Sequence, residues 1–309
     1  MDYSKNLLIK VSELYYNQNL NQQQIADKLN VSRVKVSRLL TEARNRGIVQ
    51  IDIKYPKDNC ISLENLLEER YHLEEAVIIS TGNKSVDLLF TEVTSTVSQL
   101  IEEKVNHKDI IGLAWGRTVK KVVDKIGSVN KKVKIVQLLG NIGSSNVSGD
   151  VIARKLAHSF DGEMFLLPTP AIVEKQDIKE AMMRDGNIRS IFNMQKDCTI
   201  AIVGIGDVSE QSTLVLSGYL SDEEVQNLKK DGAVGEVCGR FIDVQGNICD
   251  NPINQRVLGI ALEDLKKIPC VIAVATGEEK LQSIKAVLNT GVIDVIVTDE
   301  MIAKKILQE

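Results

Sequence analysis

The chain has 309 residues, of which 43% are hydrophobic and 26% are charged, and its formal net charge at pH 7 is −4. This length can form one large core beside a small one, so we expect two domains. No apolar run approaches the roughly 18 residues that a membrane span needs, which excludes an integral membrane protein. The N-terminal segment mixes charges among its apolar positions, unlike a signal peptide, so we expect a cytoplasmic protein.

The cysteines are scattered and odd in number. The sequence contains no Cys-x-x-Cys pair and no nearby pair of histidines, so it offers no recognisable set of metal ligands. We therefore expect free, buried thiols and neither a metal nor a cofactor. The five positions are Cys60, Cys198, Cys238, Cys249 and Cys270.

The charges are distributed unevenly along the chain. Residues 1–57 hold ten Lys or Arg and five Asp or Glu, a net charge of +5. The remaining residues hold 38 − 10 = 28 Lys or Arg and 42 − 5 = 37 Asp or Glu, a net charge of −9. A basic segment within an acidic protein points to a nucleic-acid contact at the N-terminal end.

Three short helices are predicted in this basic segment. The first runs from Ser4 to Tyr16, with Ser4 as its N-cap. Asn21 and Gln24 have the spacing of a capping box that opens a second helix. Ser32 caps a third helix, which Gly47 ends. The pattern is that of a helix-turn-helix.

An alternating stretch, residues 48–53, follows the third helix and ends before Pro56. Alternation of apolar and polar residues predicts a short strand, so we assign residues 21–51 to a helix-turn-helix with a small wing and residues 1–56 to the DNA-binding domain. Residues 57–75 are interpreted as a linker with a connecting helix that Ser62 opens.

From residue 76 onward, short β-branched runs alternate with amphipathic helical stretches. This rhythm predicts a doubly wound, mostly parallel α/β domain over residues 76–309, with helices on both faces of the sheet. The predicted strands are 76–80, 109–114, 133–139, 163–166, 199–204, 234–242, 270–275 and 293–297, and the clearest helices are 86–105, 117–126, 221–230 and 278–289.

Polar and basic side chains interrupt the apolar stripe early in the third helix, as a recognition helix in the major groove requires. A solvated basic face on an ordinary helical hairpin is the alternative. Arginine and lysine can pair with guanine, and residues at the start of the second helix can contact phosphate. The candidate DNA-binding residues are Gln22, Gln23, Ser32, Arg33, Lys35, Ser37, Arg38 and Arg44.

The segment QQQIADKLNVSRVKVSRLLTEARNRGIVQI resembles the N-terminal domain of SorC/DeoR-type bacterial transcriptional regulators. The segments IGLAWGRTV, VQLLGNIG, LPTPAIV, IAIVGIGDV and VGEVCGRFIDVQGNI extend the resemblance, in order, over nearly the whole chain. It implies a C-terminal domain that is similar to ribose- and glucosamine-phosphate isomerases and that binds a phosphorylated sugar without catalysis. A two-fold operator requires paired reading helices and therefore at least a dimer. The resemblance implies a larger homo-oligomer, a tetramer.

The candidate effector-binding residues follow the ends of predicted strands, where doubly wound folds bind ligands. Each candidate also has a structural alternative. The glycines after the strand and Asp243 can simply form turns, Trp115 can pack in the core, and Lys280 can be an exposed charge on a helix. The resemblance favours ligand contact for an aspartate and a lysine at the positions of Asp243 and Lys280. The candidates are Gly112, Trp115, Gly116, Arg117, Thr118, Gln137, Gly140, Asn141, Gly143, Ser144, Arg240, Asp243 and Lys280.

Three positions depart from the family pattern. Leu139 stands where one branch of the family has a lysine that forms a Schiff base with a deoxysugar phosphate, so covalent capture is not expected there. Ala114 replaces a frequent serine, and Thr276-Gly277 replaces a Gly-Gly pair. These departures leave the identity of the effector open.

The sequence thus predicts a DNA-binding regulator of a carbohydrate-utilisation operon, with no catalytic residues. A sugar-phosphate isomerase with an appended DNA-binding domain is the alternative, although the three histidines fall on helices or connections rather than at strand ends. A nucleotide sensor is less favoured, because Gly204-Ile-Gly206 lacks the third glycine of a dinucleotide fingerprint.

Overall fold

The computed structural model of the chain describes residues 3–50, 59–140 and 148–308. The chain divides into two compact units, Met1–Lys57 and Asp58–Glu309, which we call the small unit and the large unit. Within the described ranges, no helix combines the length and the apolar character that crossing a membrane would require.

The small unit is built from three helices, and local side-chain caps fix where they begin. The predicted capping box at the start of the second helix is confirmed, because Asn21 Oδ1 accepts from the amides of Gln23 and Gln24 and Gln24 Oε1 accepts from the Asn21 amide at 2.9 Å. Ser32 Oγ likewise accepts from the Lys35 amide at 3.2 Å. The helices are α1 (Lys5–Ser12), α2 (Gln22–Leu29) and α3 (Arg33–Asn45), and a π-helical turn (Glu13–Asn17) continues α1.

The turn between α2 and α3 and the end of α3 use left-handed backbone. Asn30 has a φ of 51° and Gly47 a φ of 67°, and both conformations end a helix without steric conflict for these residue types. Residues 48–50 form no strand. The rest of the predicted wing, residues 51–53, lies outside the described residues.

The large unit begins with a helix and continues as alternating strands and helices. Its strands are β1 (Glu75–Ile79), β2 (Ile110–Leu113), β3 (Lys134–Gln137), β4 (Glu163–Phe165), β5 (Ile200–Gly204), β6 (Gly206–Asp207), β7 (Gly235–Val237), β8 (Arg240–Ile242), β9 (Val271–Val274) and β10 (Val295–Asp299). Its helices are α4 (Ile61–Tyr71), α5 (Val86–Lys104), α6 (Arg117–Val123), α7 (Gly149–Ser159), α8 (Gln176–Arg184), α9 (Gly186–Lys196), α10 (Thr213–Leu216), α11 (Asp222–Lys230), α12 (Pro252–Arg256), α13 (Leu262–Leu265), α14 (Leu281–Asn289) and α15 (Glu300–Gln308).

Seven of the strands form one parallel sheet in the order β1-β10-β9-β5-β2-β3-β4. Side chains along β9 alternate between the two faces of the sheet. Ile272 and Val274 pack in the core on one face, together with α5, α6 and α7. Val271 and Ala273 pack in the core on the other face, together with α4, α14 and α15. The predicted doubly wound, mostly parallel fold is confirmed, since helices cover both faces of the sheet.

One predicted strand was wrong in its form. Residues 234–242 are not a single strand of the main sheet but a hairpin of β7 and β8, which joins β6 in a separate three-stranded antiparallel sheet. The tight turn is formed by Cys238 and Gly239, whose φ angles are 50° and 74°. Positive φ at both central residues matches the right-handed twist of a two-residue hairpin.

Helix α4 belongs to the large unit and seals the edge of its sheet. The amides of Ala76 and Ile78 in β1, on the side away from β10, donate to Glu68 Oε1 and Glu64 Oε1, each at 2.9 Å. Unpaired backbone groups of an edge strand otherwise invite pairing with another chain. The helix begins at Ile61, one residue before the predicted Ser62, because Asn59 accepts from the Ile61 amide.

Replacing Glu68 with Ala should lower the free energy of unfolding of the large unit by about 1–3 kcal/mol, because the partly buried Ala76 amide loses a charged acceptor. Glu69→Ala removes the same charge from an exposed position on the same helix and should change stability by less than about 0.5 kcal/mol. Urea unfolding followed by the fluorescence of Trp115, the single tryptophan, measures both. Equal losses in the two variants would contradict the edge-sealing role.

Candidate functional site

The candidate DNA-reading residues lie together on the surface of α2, α3 and the turn between them. Helix α3 buries Val36, Leu39, Leu40 and Ala43 in the core of the small unit. Its opposite side leaves exposed Arg33, Lys35, Ser37, Arg38 and Arg44, beside exposed Ser32 and Gln23 and half-buried Gln22.

The arginines and lysine of this surface are free to bind a ligand. Within the described residues, Arg33, Lys35, Arg38 and Arg44 have no ion-pair partner, whereas Arg46 is held by Glu42 at 2.6 Å. Free cations on the first turns of a capped helix are the groups that contact guanine edges and phosphates in the major groove. We assign this face as the candidate nucleic-acid interface.

The two arginines Arg38 and Arg44 should behave differently when replaced by Ala. If Arg38 pairs with a base, its loss should cost about 1–3 kcal/mol on a duplex that the wild-type protein selects from a random-sequence library, and much less on unrelated duplexes. Loss of Arg44, expected to contact phosphate only, should weaken both classes equally. Fluorescence anisotropy at fixed salt measures this, and equal weakening by the Arg38 variant would demote it to a phosphate contact.

A separate cavity lies in the large unit, at the carboxyl edge of the parallel sheet. The chain leaves β2 toward β3 on one side and leaves β5 toward β9 on the other, so the neighbours β2 and β5 form a topological switch point. The turns after two such strands diverge and leave a crevice between them. Trp115 and Gly116 line it after β2, and Gly204 and Ile205 line it after β5.

The cavity has a volume of about 830 Å³, which is in the range of small-molecule sites. Its lining comes from segments at the ends of five adjacent strands, β10, β9, β5, β2 and β3, with the start of α5 and the β7–β8 hairpin as further walls. The charged groups among its lining are Asp87, Arg117, Lys120, Lys121, Asp207, Glu236, Glu278, Glu279, Lys280 and Asp299.

Lys280 and Arg117 supply positive charge inside the cavity. Lys280 Nζ donates to the carbonyl of Ile205 at 2.9 Å, which fixes the amine beside the end of β5. Burial lowers the pKa of Lys280, and the neighbouring carboxylates of Asp207 and Glu236 oppose that shift. Arg117 is exposed and donates to the carbonyl of Gln211 at 3.4 Å. An anion bound here would gain charge-assisted hydrogen bonds.

Glu236 places a carboxylate in the same part of the cavity as Lys280, since it packs on Gly206, the residue after the one that Lys280 binds. Its Oε2 accepts from the Gly239 amide at 2.8 Å, and the carboxylate packs so closely on Gly206 that any side chain there would overlap it. Within the described residues, no cation lies in ion-pairing distance of Glu236. Burial raises the pKa of Glu236 to about 7, so this carboxyl group changes charge near neutral pH.

Five of the candidate effector residues are brought together by the structure. Trp115, Gly116, Arg117, Thr118 and Lys280 all line the cavity. Trp115 is also buried, and its Nε1 donates to the carbonyl of Gly140 at 2.8 Å. The two interpretations of Trp115, packing and ligand contact, are therefore compatible.

Three other candidates, near β2 and β3, do not line the cavity. Gly112 is buried within β2, between β3 and β5. Gln137 is buried and its Oε1 accepts from the Leu167 amide at 2.7 Å. Gly140 is held through its backbone, with its amide donating to the Leu258 carbonyl at 2.8 Å. Asn141, Gly143 and Ser144 lie outside the described residues.

Arg240 and Asp243 have structural roles outside the cavity. The guanidinium of Arg240 donates to the carbonyls of Asn254, Gly259 and Ile260, at 3.1, 2.7 and 3.2 Å. The carboxylate of Asp243 closes the turn after β8 by accepting from the amides of Gln245 and Asn247, each at 2.9 Å. The alternative for Asp243, a turn residue, therefore describes its position.

The cysteines and histidines offer few reactive side chains to the cavity. All five cysteines are free thiols, and Cys270 alone is partly exposed. Cys238 lines the cavity, and burial raises the pKa of its thiol. None of the three histidines lines it: His72 ends α4, His107 precedes β2 and His158 lies in α7.

Two carboxylates of the cavity, Asp207 and Glu236, are not among the residues predicted from the sequence. Asp207 directly follows Gly204-Ile-Gly206, and Glu236 lies in VGEVCGRF, in which the predicted contact is Arg240. Asp207 could have been predicted as a site residue, because it lies shortly after the end of β5. The packing of Glu236 on Gly206 could not, because it depends on the hairpin of β7 and β8.

Glu236 should make the stability of the large unit depend on pH. Its pKa of about 7 in the folded protein exceeds the ordinary value of 4.5, so the folded state binds more protons between these values and stability falls as pH rises through this window. Glu236→Gln, which mimics the protonated form, should therefore gain melting temperature relative to wild type between pH 5 and 8. A difference that does not vary with pH would contradict this.

Two family models match the chain, one in each unit. Residues 55–308 match the model of the family described as "Putative sugar-binding domain", and residues 10–46 match the model of sigma-70 region 4. The chain is 34% identical to the deoxyribonucleoside regulator of Bacillus subtilis, and the alignment covers 100% of both chains.

Two further similarities concern one regulator. The chain is 29% identical to the sorbitol operon regulator of Klebsiella pneumoniae, with 98% of each chain covered. Its fold is similar to the crystal structure of the full-length sorbitol operon regulator SorC from Klebsiella pneumoniae, with a TM-score of 0.76, 27% identity and 98% of each chain covered.

Proposed function

The chain belongs to the SorC/DeoR-type family of transcriptional regulators with a sugar-binding domain, and from this premise we propose that a phosphorylated sugar binds in the cavity of the large unit and controls DNA binding by α3. The chain is a DNA-binding transcriptional regulator, and the names of its relatives favour this function over a sugar-phosphate isomerase with an appended DNA-binding domain. The single observation that carries the proposal is the cavity at the β2–β5 switch point, which is lined by both cations and carboxylates.

The phosphate group is assigned to Lys280 and Arg117. The buried amine of Lys280 already donates to the Ile205 carbonyl, so its position is fixed before a ligand arrives. Burial works against its charged form, and a bound phosphate would compensate by direct pairing with the ammonium group. Arg117 can add a planar, bidentate contact from the exposed side of the cavity.

The sugar hydroxyls are assigned to the carboxylates of Asp207 and Glu236. A carboxylate accepts two or more hydrogen bonds, and polyols satisfy such acceptors well. Glu236 Oε2 is occupied by the Gly239 amide, which leaves Oε1 for a ligand. The apolar faces of Trp115 and Leu214, which also line the cavity, suit the carbon skeleton of a sugar.

Binding controls transcription only if the effector has different affinities for the DNA-competent state and for the other states of the protein. We propose a dimer or tetramer as the DNA-binding form, because a two-fold operator requires paired reading helices. The names of the two regulators described above, for deoxyribonucleosides and for the sorbitol operon, support a carbohydrate-utilisation operon as the target.

We propose binding without turnover as the function of the cavity. No histidine lines it, and the family relatives are named as regulators. The carboxyl of Glu236 is the group whose pKa would suit a general base. Product analysis after incubation with ribose 5-phosphate or glucosamine 6-phosphate tests this point, and isomerised product that disappears in the Glu236→Gln variant would overturn it.

A thermal-shift screen should identify the ligand class. The panel contains the 5- or 6-phosphates of ribose, 2-deoxyribose, glucosamine and sorbitol, each beside its unphosphorylated sugar. At 100 times its dissociation constant, a ligand stabilises the protein by about 2.7 kcal/mol, so one or more phosphates should raise the melting temperature and the free sugars should not. Shifts by nucleotides alone would reject the sugar assignment.

Replacing Lys280 with Met tests the phosphate site in the same assay. The variant should lose the difference between a stabilising sugar phosphate and its free sugar, because the amine that distinguishes them is gone. Lys230→Met removes a charge from an exposed position on α11 and should keep that difference. An unchanged shift in the Lys280 variant would place the phosphate elsewhere.

A further inference from the structure

One side of the large unit is strongly basic although the unit as a whole is acidic. Residues 104–134 and 150–158 together hold eleven Lys or Arg and three Asp or Glu, a net charge of +8. The rest of residues 58–309 holds 28 − 11 = 17 Lys or Arg and 37 − 3 = 34 Asp or Glu, a net charge of −17. Such a separation of charge gives the large unit a positive side.

These two segments are contiguous in the fold. Helix α6 packs between α5 and α7 on one face of the sheet, and Lys155 of α7 reaches Asp124 at the end of α6 at 2.7 Å. The Lys132 amide donates to the carbonyl of Phe160, just past α7, at 2.9 Å, and the Lys108 amide to that of Lys131 at 3.0 Å. The outer sides of α6 and α7 and the connections before β2 and β3 therefore form one surface, the basic face.

The basic face carries cations that are not used inside the protein. Lys108, Lys132 and Arg154 are exposed, and among the described residues none of the three side chains has a hydrogen-bond or ion-pair partner. Lys131, by contrast, is used structurally, since its amine binds the Val105 carbonyl past the end of α5 at 2.6 Å. The three unused cations, which also lie outside the lining of the cavity, are available to an anionic partner.

We propose that the basic face of the large unit is a second DNA-contact surface, which binds the phosphates of duplex DNA beyond the segment read by α3. The partner is double-stranded DNA, contacted through its backbone and independent of its sequence. Each lysine or arginine that neutralises a phosphate releases condensed counterions, which makes such binding favourable and dependent on salt.

The composition of the basic face favours DNA over an acidic protein. Val151 is the one exposed large apolar side chain on α6 and α7, and no aromatic residue occurs in either helix. A protein interface requires an apolar centre with aromatic or aliphatic anchors. Phosphate contacts require only exposed cations, and the same chain carries the candidate DNA-reading residues of α3.

The test compares two variants of the full-length protein that lose the same charge. The first carries Lys108→Ala, Lys132→Ala and Arg154→Ala. The control carries Lys175→Ala, Lys230→Ala and Lys266→Ala, which are exposed positions of the large unit outside the basic face. Binding to mixed-sequence duplexes of about 15 and about 40 base pairs, roughly one and four helical turns, is measured by anisotropy from about 50 to 200 mM NaCl.

On the long duplex, the basic-face variant should bind more weakly than the control, and the slope of log K against log salt should become shallower by up to about 2.7, or roughly 0.9 for each of three contacts. On the short duplex the two variants should bind alike. Equal slopes for both variants on the long duplex would overturn the proposal. An acidic protein would then be the remaining candidate partner of the basic face. Melting curves of both variants check that neither change unfolds the large unit.

Discussion

Burial of the parallel sheet on both faces is the constraint from which the architecture of the large unit follows. Every residue of β9 and β10 is buried, and a buried polar group without a partner costs free energy. Polar side chains that act on a ligand are therefore confined to the segments where the strands end. The switch point between β2 and β5 then decides which of these segments diverge and leave room for a ligand.

Two charged side chains of the cavity are held by the backbone rather than by each other. Lys280 donates to the carbonyl of Ile205, and Glu236 accepts from the amide of Gly239. Among the described residues, neither side chain belongs to an ion pair, so both keep hydrogen-bonding capacity for a ligand. A molecule with an acidic group and hydroxyls would supply a partner for each.

Local features were predictable from the sequence, and features that depend on distant chain segments were not. The caps at Asn21 and Ser32 were predictable because a capping side chain accepts from an amide no more than three residues away. The strands of the main sheet were predictable because a strand that is buried on both faces is apolar along its whole length. The hairpin at Cys238 was missed because a cysteine with positive φ is uncommon. Arg240 and Asp243 show the limit for sites, since a buried or turn-forming polar residue has the same sequence pattern as a ligand contact.

Helix α4 connects the edge of the sheet to the wall of the cavity. It is the first element after the small unit in the chain, and it is hydrogen-bonded to β1, whose neighbour β10 ends at Asp299 in the wall of the cavity. Asp299 also caps α15 through the Ile302 amide, and α15 is bonded to Arg70 of α4. The cavity wall is thus connected to α4, the first helix of the large unit, by two hydrogen-bonded routes, one through β10 and β1 and one through α15.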